Sequence, residues 1–409
     1  MFYNCFKLPT GTSSSSTLKL DNFKINSSLN MSYLFYNCQK LSSITLHTRF
    51  PPSDMRNMFY NCISINSITI PFTFDEQKIT NMTRMFYNCV ILQNILNDNT
   101  TNLKTYSYFP NDIHEMFYNC EKLTNLVFIS YIRTDNTEDM SLLFYNCLKL
   151  TTLILDFSNN LTKNMKGMFQ NSGLTTITFS QFNTNNVEIM WDIFKGCKEL
   201  TNLDLSSFNT TKVTDMESMF EGCEKLSILS LENFDTSKVQ YMNKMFKDCK
   251  KLASLNFGNI QTDSVGTMHQ MFYNCENLQY LNLSSMKEKG QSYAEMFTGV
   301  GKSTNVNNFT FCIGENEDIP NIFELLKNVT KSERDCSLNC YDKIRVNVTS
   351  KKLCCKYVKY KDNCYDKCPS KTQDKSKTDI CEDFNCTGEN EYYNYNQSNC
   401  TKNITGYYV

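Results

Sequence analysis

The residues with the most chemistry to offer are twenty cysteines, and their spacing divides them into two groups. Cys5, Cys38, Cys62, Cys89, Cys120, Cys147, Cys197, Cys223, Cys249 and Cys275 recur at near-regular intervals. Cys312, Cys336, Cys340, Cys354, Cys355, Cys364, Cys368, Cys381, Cys386 and Cys400 crowd into the remainder of the chain, with C-x3-C pairs at 336/340 and 364/368. Such a density suits either thiolate zinc sites or a disulfide framework. No histidine follows His269, which favours disulfides and an oxidising, extracellular compartment. Their connectivity is not fixed by spacing. The regular cysteines differ: one per repeat at a rung spacing of about 4.8 Å lies beyond the roughly 3.8 Å between Cβ atoms that a disulfide needs. Ser172 also stands at one such position without loss of pattern, so buried free thiols are expected there.

Acid–base and nucleophilic chemistry is poorly provided for. His47, His114 and His269 fall at unrelated positions, and no GxSxG, phosphate-binding glycine loop or HExxH occurs. We therefore expect no catalytic residue, no metal-ligand set and no cofactor. The formal net charge of -1 excludes the electrostatic footprint of a nucleic-acid binder. From Lys331 to Lys377 thirteen basic residues stand against six acidic ones, interleaved with Tyr341, Tyr357, Tyr360 and Tyr365; such a run reads as a solvated face, with anionic glycans as the sharper alternative. Fourteen N-x-S/T sequons are present, a mild excess over chance, at Asn26, Asn30, Asn81, Asn99, Asn160, Asn209, Asn282, Asn308, Asn328, Asn347, Asn385, Asn396, Asn399 and Asn403. In a secreted chain these are glycosylation candidates.

The elements that position these residues are repeats. MFYNC begins at Met1, Met58, Met85, Met116 and Met271, with LFYNC at Leu34 and Leu143. Weaker copies begin at Met168, Ile193, Met219, Met245 and Met296, about twelve units in all. Most cysteine spacings are 24 to 27 residues, the period of a solenoid whose coils bury one face on the next. In Asp215 to Leu231, Met216, Met219 and Phe220 share a helical face, while Leu229 and Leu231 alternate as a strand does. Each coil is thus expected to run as short amphipathic helix, turn, strand and return segment, with parallel strands stacked coil on coil. Met1 occupies the same place as Met58, so further chain is expected upstream of it.

The run MFxxCxxLxxLxLSxFxTxxVxxM, clearest from Phe194 to Met271, resembles the BspA-like leucine-rich-repeat surface proteins. FYNCQKLSSITL, Phe35 to Leu46, resembles the related treponemal-type repeat. The resemblance covers roughly residues 1 to 311 and implies a cell-surface adhesin or antigen. Beyond it, CYDKCPSKT and the NQSNC to GYYV ending are similar to Cys-rich stalks of protist surface proteins.

The reading is an α/β, right-handed leucine-rich-repeat solenoid over 1–311, followed by a small disulfide-rich, glycosylated module over 312–409. The strand face is polar and almost uncharged; its outward residues include Ser43, Thr45, Thr124, Asn125, Thr152, Thr176, Thr178 and Asn202. It suits a protein or glycan ligand, or other copies of the chain. The function expected is a non-enzymatic extracellular surface or matrix glycoprotein acting in adhesion. A protomer of an extracellular fibre or coat is the alternative, and a secreted hydrolase accessory a more distant one. No transmembrane segment is present in the chain, and an anchor outside it is compatible with this reading.

Overall fold

The computed structural model describes residues 17–19, 30–46, 53–70, 79–97 and 108–302, less short gaps at 125, 158, 181, 257–259, 279, 284 and 290–291. Beyond these it describes 310–313, 320–330 and isolated short strands between Asn339 and Thr401. Within the repeats the strands are β1 (Thr17–Lys19), β2 (Ser43–Thr45), β3 (Ser67–Ile70), β4 (Ile79–Asn81), β5 (Asn94–Asn97), β6 (Tyr108–Asp112), β7 (Thr152–Asp156), β8 (Thr176–Ser180), β9 (Asn202–Leu203), β10 (Ile228–Ser230), β11 (Ser254–Asn256) and β12 (Tyr280–Leu283). Neighbouring strands pair in parallel and in register, Ile44 with Ile68 and Leu229 with Leu255, each rung one coil further along. The chain is a parallel-strand solenoid with little helix.

Among the described residues the helix expected in each coil is not there. Between Met216 and Cys223, alternate N–H groups of Met216, Ser218, Phe220 and Gly222 donate to Tyr241, Asn243, Met245 and Lys247 of the next coil. The intervening N–H groups of Met219, Glu221 and Cys223 close turns onto Met216, Ser218 and Phe220. An α-helix would satisfy all of these internally, four residues back. Two features forbid it. Ser218 and Gly222 hold φ of 53° and 74°, and left-handed residues recur four apart in coil after coil, as at Asn57 and Asn61. A helix about 10 Å across would also force the stack to curve so that its helical edge opened beyond the roughly 4.8 Å of the strand rungs, whereas a ladder of turns keeps that spacing. Met216, Met219 and Phe220 still point inward and are fully buried, so the burial pattern was legible while the backbone was not.

The core is a set of columns along the stack. Phenylalanines from Phe35 to Phe297 lie ring over ring, with centroids 5.3 to 5.8 Å apart. The return segment carries a second column: Thr236 donates its hydroxyl to the carbonyl of Gln261 at 2.7 Å and accepts the N–H of the same residue at 2.7 Å. Thr210 and Thr262 bridge to Asp235 and Lys287 in the same way. Each buried hydroxyl thereby joins consecutive coils.

The strand stack is interrupted, contrary to the expected continuity. A 3-10 helix, Val127–Tyr131, replaces the strand between β5 and β7, and β9 is not hydrogen-bonded to β10. The last sheet continues through β13 (Thr310–Ile313), parallel to β12, and then β15 (Lys343–Asn347), antiparallel to β13, with β14 (Asn339–Cys340) at its edge. Helix α1 (Pro320–Thr330) buries Ile322 and Leu326 against the solenoid core, and the Glu288 carboxylate accepts the N–H groups of Asn321 and Ile322 at 3.1 and 2.5 Å. This covering helix was not anticipated. Pro320 before Ile322, Leu325 and Leu326 carries its start signal and its spacing. The remaining strands are β16 (Val358–Tyr360), β17 (Asn363–Tyr365), β18 (Thr372–Lys375), β19 (Ile380–Asp383), β20 (Tyr392–Asn394) and β21 (Asn399–Thr401).

Candidate binding surface

Alternation along each strand decides which residues face outward. In β7, Leu153 and Leu155 are buried and Thr152, Ile154 and Asp156 are exposed; in β8, Thr176 and Thr178 are exposed beside buried Ile177. Register then aligns Thr152 with Thr176 and Asn202 in one row, and Ile154 with Thr178 in the next. Ser43 and Thr45 lie half-buried on a different sheet, aligned with Ser67 and Thr69. The expected face is therefore assembled in pieces. Thr124 is exposed but precedes the 3-10 helix rather than a strand, and Asn125 lies outside the described residues.

The hydroxyls divide by function. Thr175 donates to the Thr151 carbonyl at 2.9 Å, Thr201 to the Thr175 carbonyl at 3.2 Å and Thr124 to the Gln93 carbonyl at 3.4 Å, so these protons serve the stack. Thr152, Thr176, Thr178 and Asn202 make no side-chain hydrogen bond to another described residue and remain available to a ligand.

The face is less polar than the threonines suggest. Ile154 and Ile228 are each 69 % exposed, Val127 53 % and Leu96 50 %. Strand parity in TLILD already placed Ile154 beside Thr152 on the outer side; that signal was in the sequence and was overlooked.

The regular cysteines sit behind this face and are free and buried from Cys38 to Cys275. Cys62, Cys147, Cys223 and Cys275 donate their thiols to the carbonyls of Phe35, Phe117, Phe194 and Phe246 in the preceding coil, at 3.1 to 3.3 Å. Burial pushes the Cys197 thiol up to about 11 and Cys223 well above its ordinary value. On the opposite edge, tyrosines from Tyr36 to Tyr145 stack at 4.4 to 4.8 Å, and beside them Asn61, Asn88 and Asn119 each donate to the asparagine of the coil before at 2.6 Å. The Tyr118 phenol is pushed up to about 12, chiefly by burial and then by Tyr145 and Tyr87.

Other expected residues are dispersed. His114 pairs through Nδ1 with Asp112 at 2.7 Å, His269 is half-buried, and His47 lies outside the described residues. Among the described residues no group of three His, Cys, Asp or Glu side chains could hold a metal ion, and no helix is long and apolar enough to cross a membrane. Asn30 and Asn160 are exposed; Asn81 and Asn209 are half-buried, and Asn209 Nδ2 donates to Asn185 at 2.8 Å. Asn282, Asn328, Asn347 and Asn399 are placed by backbone alone, on β12, α1, β15 and β21; Asn26, Asn99, Asn308, Asn385, Asn396 and Asn403 lie outside the described residues. Of the C-terminal cysteines, Cys312, Cys340, Cys364, Cys381 and Cys400 fall on β13, β14, β17, β19 and β21, while Cys336, Cys354, Cys355, Cys368 and Cys386 lie outside the described residues.

A family described as "Mycoplasma protein of unknown function, DUF285" matches residues 1–111, 111–227 and 194–310. No curated protein matches the chain. Among solved structures it is similar to a leucine-rich repeat protein from Eubacterium ventriosum, at 13% identity over 64% of this chain and 83% of that one, with a TM-score of 0.29. It is also similar to one from Bacteroides ovatus, at 19% over 62% and 81%, TM-score 0.20. A leucine rich cell surface protein from Faecalibacterium prausnitzii matches at 16% over 58% and 78%, TM-score 0.23.

Proposed function

The chain belongs to the DUF285 family, and on that premise we propose that it is a non-enzymatic, extracellular surface or matrix glycoprotein that acts in adhesion through the strand face of a BspA-like solenoid. In this reading residues 1–311 form a right-handed array of about twelve coils, and 312–409 a disulfide-stapled, glycosylated module.

The observation that carries the proposal is the row of Thr152, Thr176 and Asn202. Their polar side chains are in register, exposed and unspent on the fold, while the hydroxyls of Thr175 and Thr201, one residue before Thr176 and Asn202, are committed to coil-to-coil bonds. A surface that presents aligned hydroxyls and an amide with few charges offers hydrogen bonds without a large desolvation cost, which suits a glycan or protein partner. Repetition extends such a surface far beyond what a pocket provides.

The test is the double variant Thr152→Arg/Thr176→Arg, which places two charged side chains in the row without touching the core. Circular dichroism and melting should be unchanged, while binding to host-cell, matrix or glycan-array surfaces falls by at least about tenfold. Unaltered binding by the folded variant would show that the functional surface lies away from this row.

A further inference from the structure

We infer that the solenoid carries an N-linked oligosaccharide at Asn160, on the return segment and clear of the strand face, and that Asn81 and Asn209 stay bare in the folded chain. This rests on the reading of the chain as an extracellular glycoprotein and names where the fold admits the modification.

Attachment forms a bond from the asparagine Nδ2 to an anomeric carbon and breaks that carbon's bond to the oxygen of a lipid-pyrophosphate donor. The lipid pyrophosphate leaves with the electron pair, and one amide proton passes to a base of the transferase. Transfer accompanies entry into the secretory route, so the fold decides which modified chains can close their coils. A pyranose ring with its substituents is wider than the roughly 4.8 Å between rungs. The modified nitrogen must therefore point away from the neighbouring coils.

Asn81, Asn160 and Asn209 are the sequon asparagines with described coils on both sides, and all three sequons end in threonine, so sequence ranks them alike. Asn160 is exposed. Its Oδ1 accepts Nδ2 of Asn183 at 2.9 Å and its main-chain carbonyl accepts Nδ2 of Asn186 at 2.6 Å, both from the following coil. The oxygen is thus held toward that coil and the nitrogen turned away from it. Nδ2 donates to no described residue, so replacing one of its protons costs the fold no bond. Leu161 beside it is 46 % exposed, and no bulky neighbour covers the position.

Asn209 is the reverse case. Half-buried, it donates Nδ2 to Asn185 of the preceding coil at 2.8 Å, while its Oδ1 accepts the N–H and the hydroxyl of Thr211 at 3.0 and 2.8 Å. A sugar on that nitrogen displaces Asn185. Asn81 is also half-buried and stands between Asp54 and Asp112 in the parallel ladder, with its Oδ1 taken by the N–H of Thr83 at 2.9 Å. The Asp54–Arg56 and Asp112–His114 pairs, at 2.6 and 2.7 Å, flank it on the adjacent rungs. A glycan at Asn160 falls past the end of β7, so the row of Thr152, Thr176 and Asn202 stays open.

The experiment secretes the full chain from a eukaryotic cell line, isolates the folded fraction, releases N-glycans enzymatically in heavy-oxygen water and maps the marked positions by mass spectrometry. The Asn160 peptide should be marked in most molecules, and the Asn81 and Asn209 peptides in few or none. Asn160→Gln should remove one glycan and leave the melting temperature unchanged. Asn209→Gln should remove none and lower the melting temperature, because three side-chain hydrogen bonds are lost. A bare Asn160 in a chain glycosylated elsewhere, or a glycan on Asn81 or Asn209 in the folded fraction, would overturn the inference. A chain bare at every sequon would sink the glycoprotein reading itself, and the inference with it.

Discussion

The Cys223 thiol donates to the main-chain carbonyl of Phe194, one coil earlier, across 3.2 Å. The thiol is spent on a neighbour's backbone, and burial raises its pKa well above the ordinary value, so it should resist alkylation until the chain is denatured. Mass mapping of iodoacetamide-treated native and denatured protein checks this for every regular cysteine from Cys38 to Cys275. A recovered Cys197–Cys223 disulfide would defeat it. Cys223→Ala should cost about 1 to 2 kcal/mol for the lost sulfur contacts and weak donor, read by denaturant titration.

Left-handed positions set a sign rule for substitutions. Gly222 sits at φ 74°, so Gly222→Val should destabilise by about 1 to 2 kcal/mol. Lys244 occupies the equivalent of Ser218 at φ 56°, and Lys244→Asn should stabilise by about 0.5 kcal/mol, since asparagine tolerates that conformation better. Melting curves of the pair decide it; a continuous helix would produce the opposite order for the lysine site, where asparagine is the poorer helix former.

Thr236 accepts and donates one hydrogen bond to Gln261 in the next coil while 3 % exposed. Thr236→Val keeps the shape and loses both bonds, leaving the N–H and carbonyl of Gln261 short of partners, at about 2 to 3 kcal/mol. Thr236→Ser should retain most of the stability. Hydrogen exchange at Gln261 should accelerate in the valine variant and not in the serine variant.

His114 and Asp112 give a pH signature. The hydrogen bond to Asp112 raises the His114 pKa; burial alone would raise Asp112, but the side-chain and backbone bonds from His114 hold it below its usual value. The raised histidine stabilises the fold below its unfolded value near 6.5, and that contribution is lost as pH rises through its folded value. The lowered aspartate stabilises above its unfolded value near 3.8, and its contribution is lost as pH falls through its folded value. Stability should therefore decline as pH climbs past the histidine range, and His114→Gln should flatten that decline in melting temperature measured from pH 5 to 8.

Much of this protein was legible along the chain. A period of 24 to 27 residues, the inward Met216, Met219 and Phe220, and leucines alternating at Leu229 and Leu231 determined a solenoid, its core columns and its strand face, because burial is a property of spacing. The free state of the regular cysteines from Cys38 to Cys275 followed from the rung distance together with Ser172 at one of their positions. The hydrogen-bond partners did not. Helical spacing and a ladder of turns bury the same side chains, and the choice between them lies in bonds that leave the coil, such as Phe220 N–H to Met245. Asn, Gly or Asp before each cysteine, as at Asn88, Gly222 and Asp248, was the local hint of left-handed backbone. Likewise, which threonine serves the stack and which is left facing solvent separates Thr175 from Thr176 by a single position. Sequence treats these neighbours alike, and only the packing of one coil on the next distinguishes them, because that packing decides where each hydroxyl proton goes.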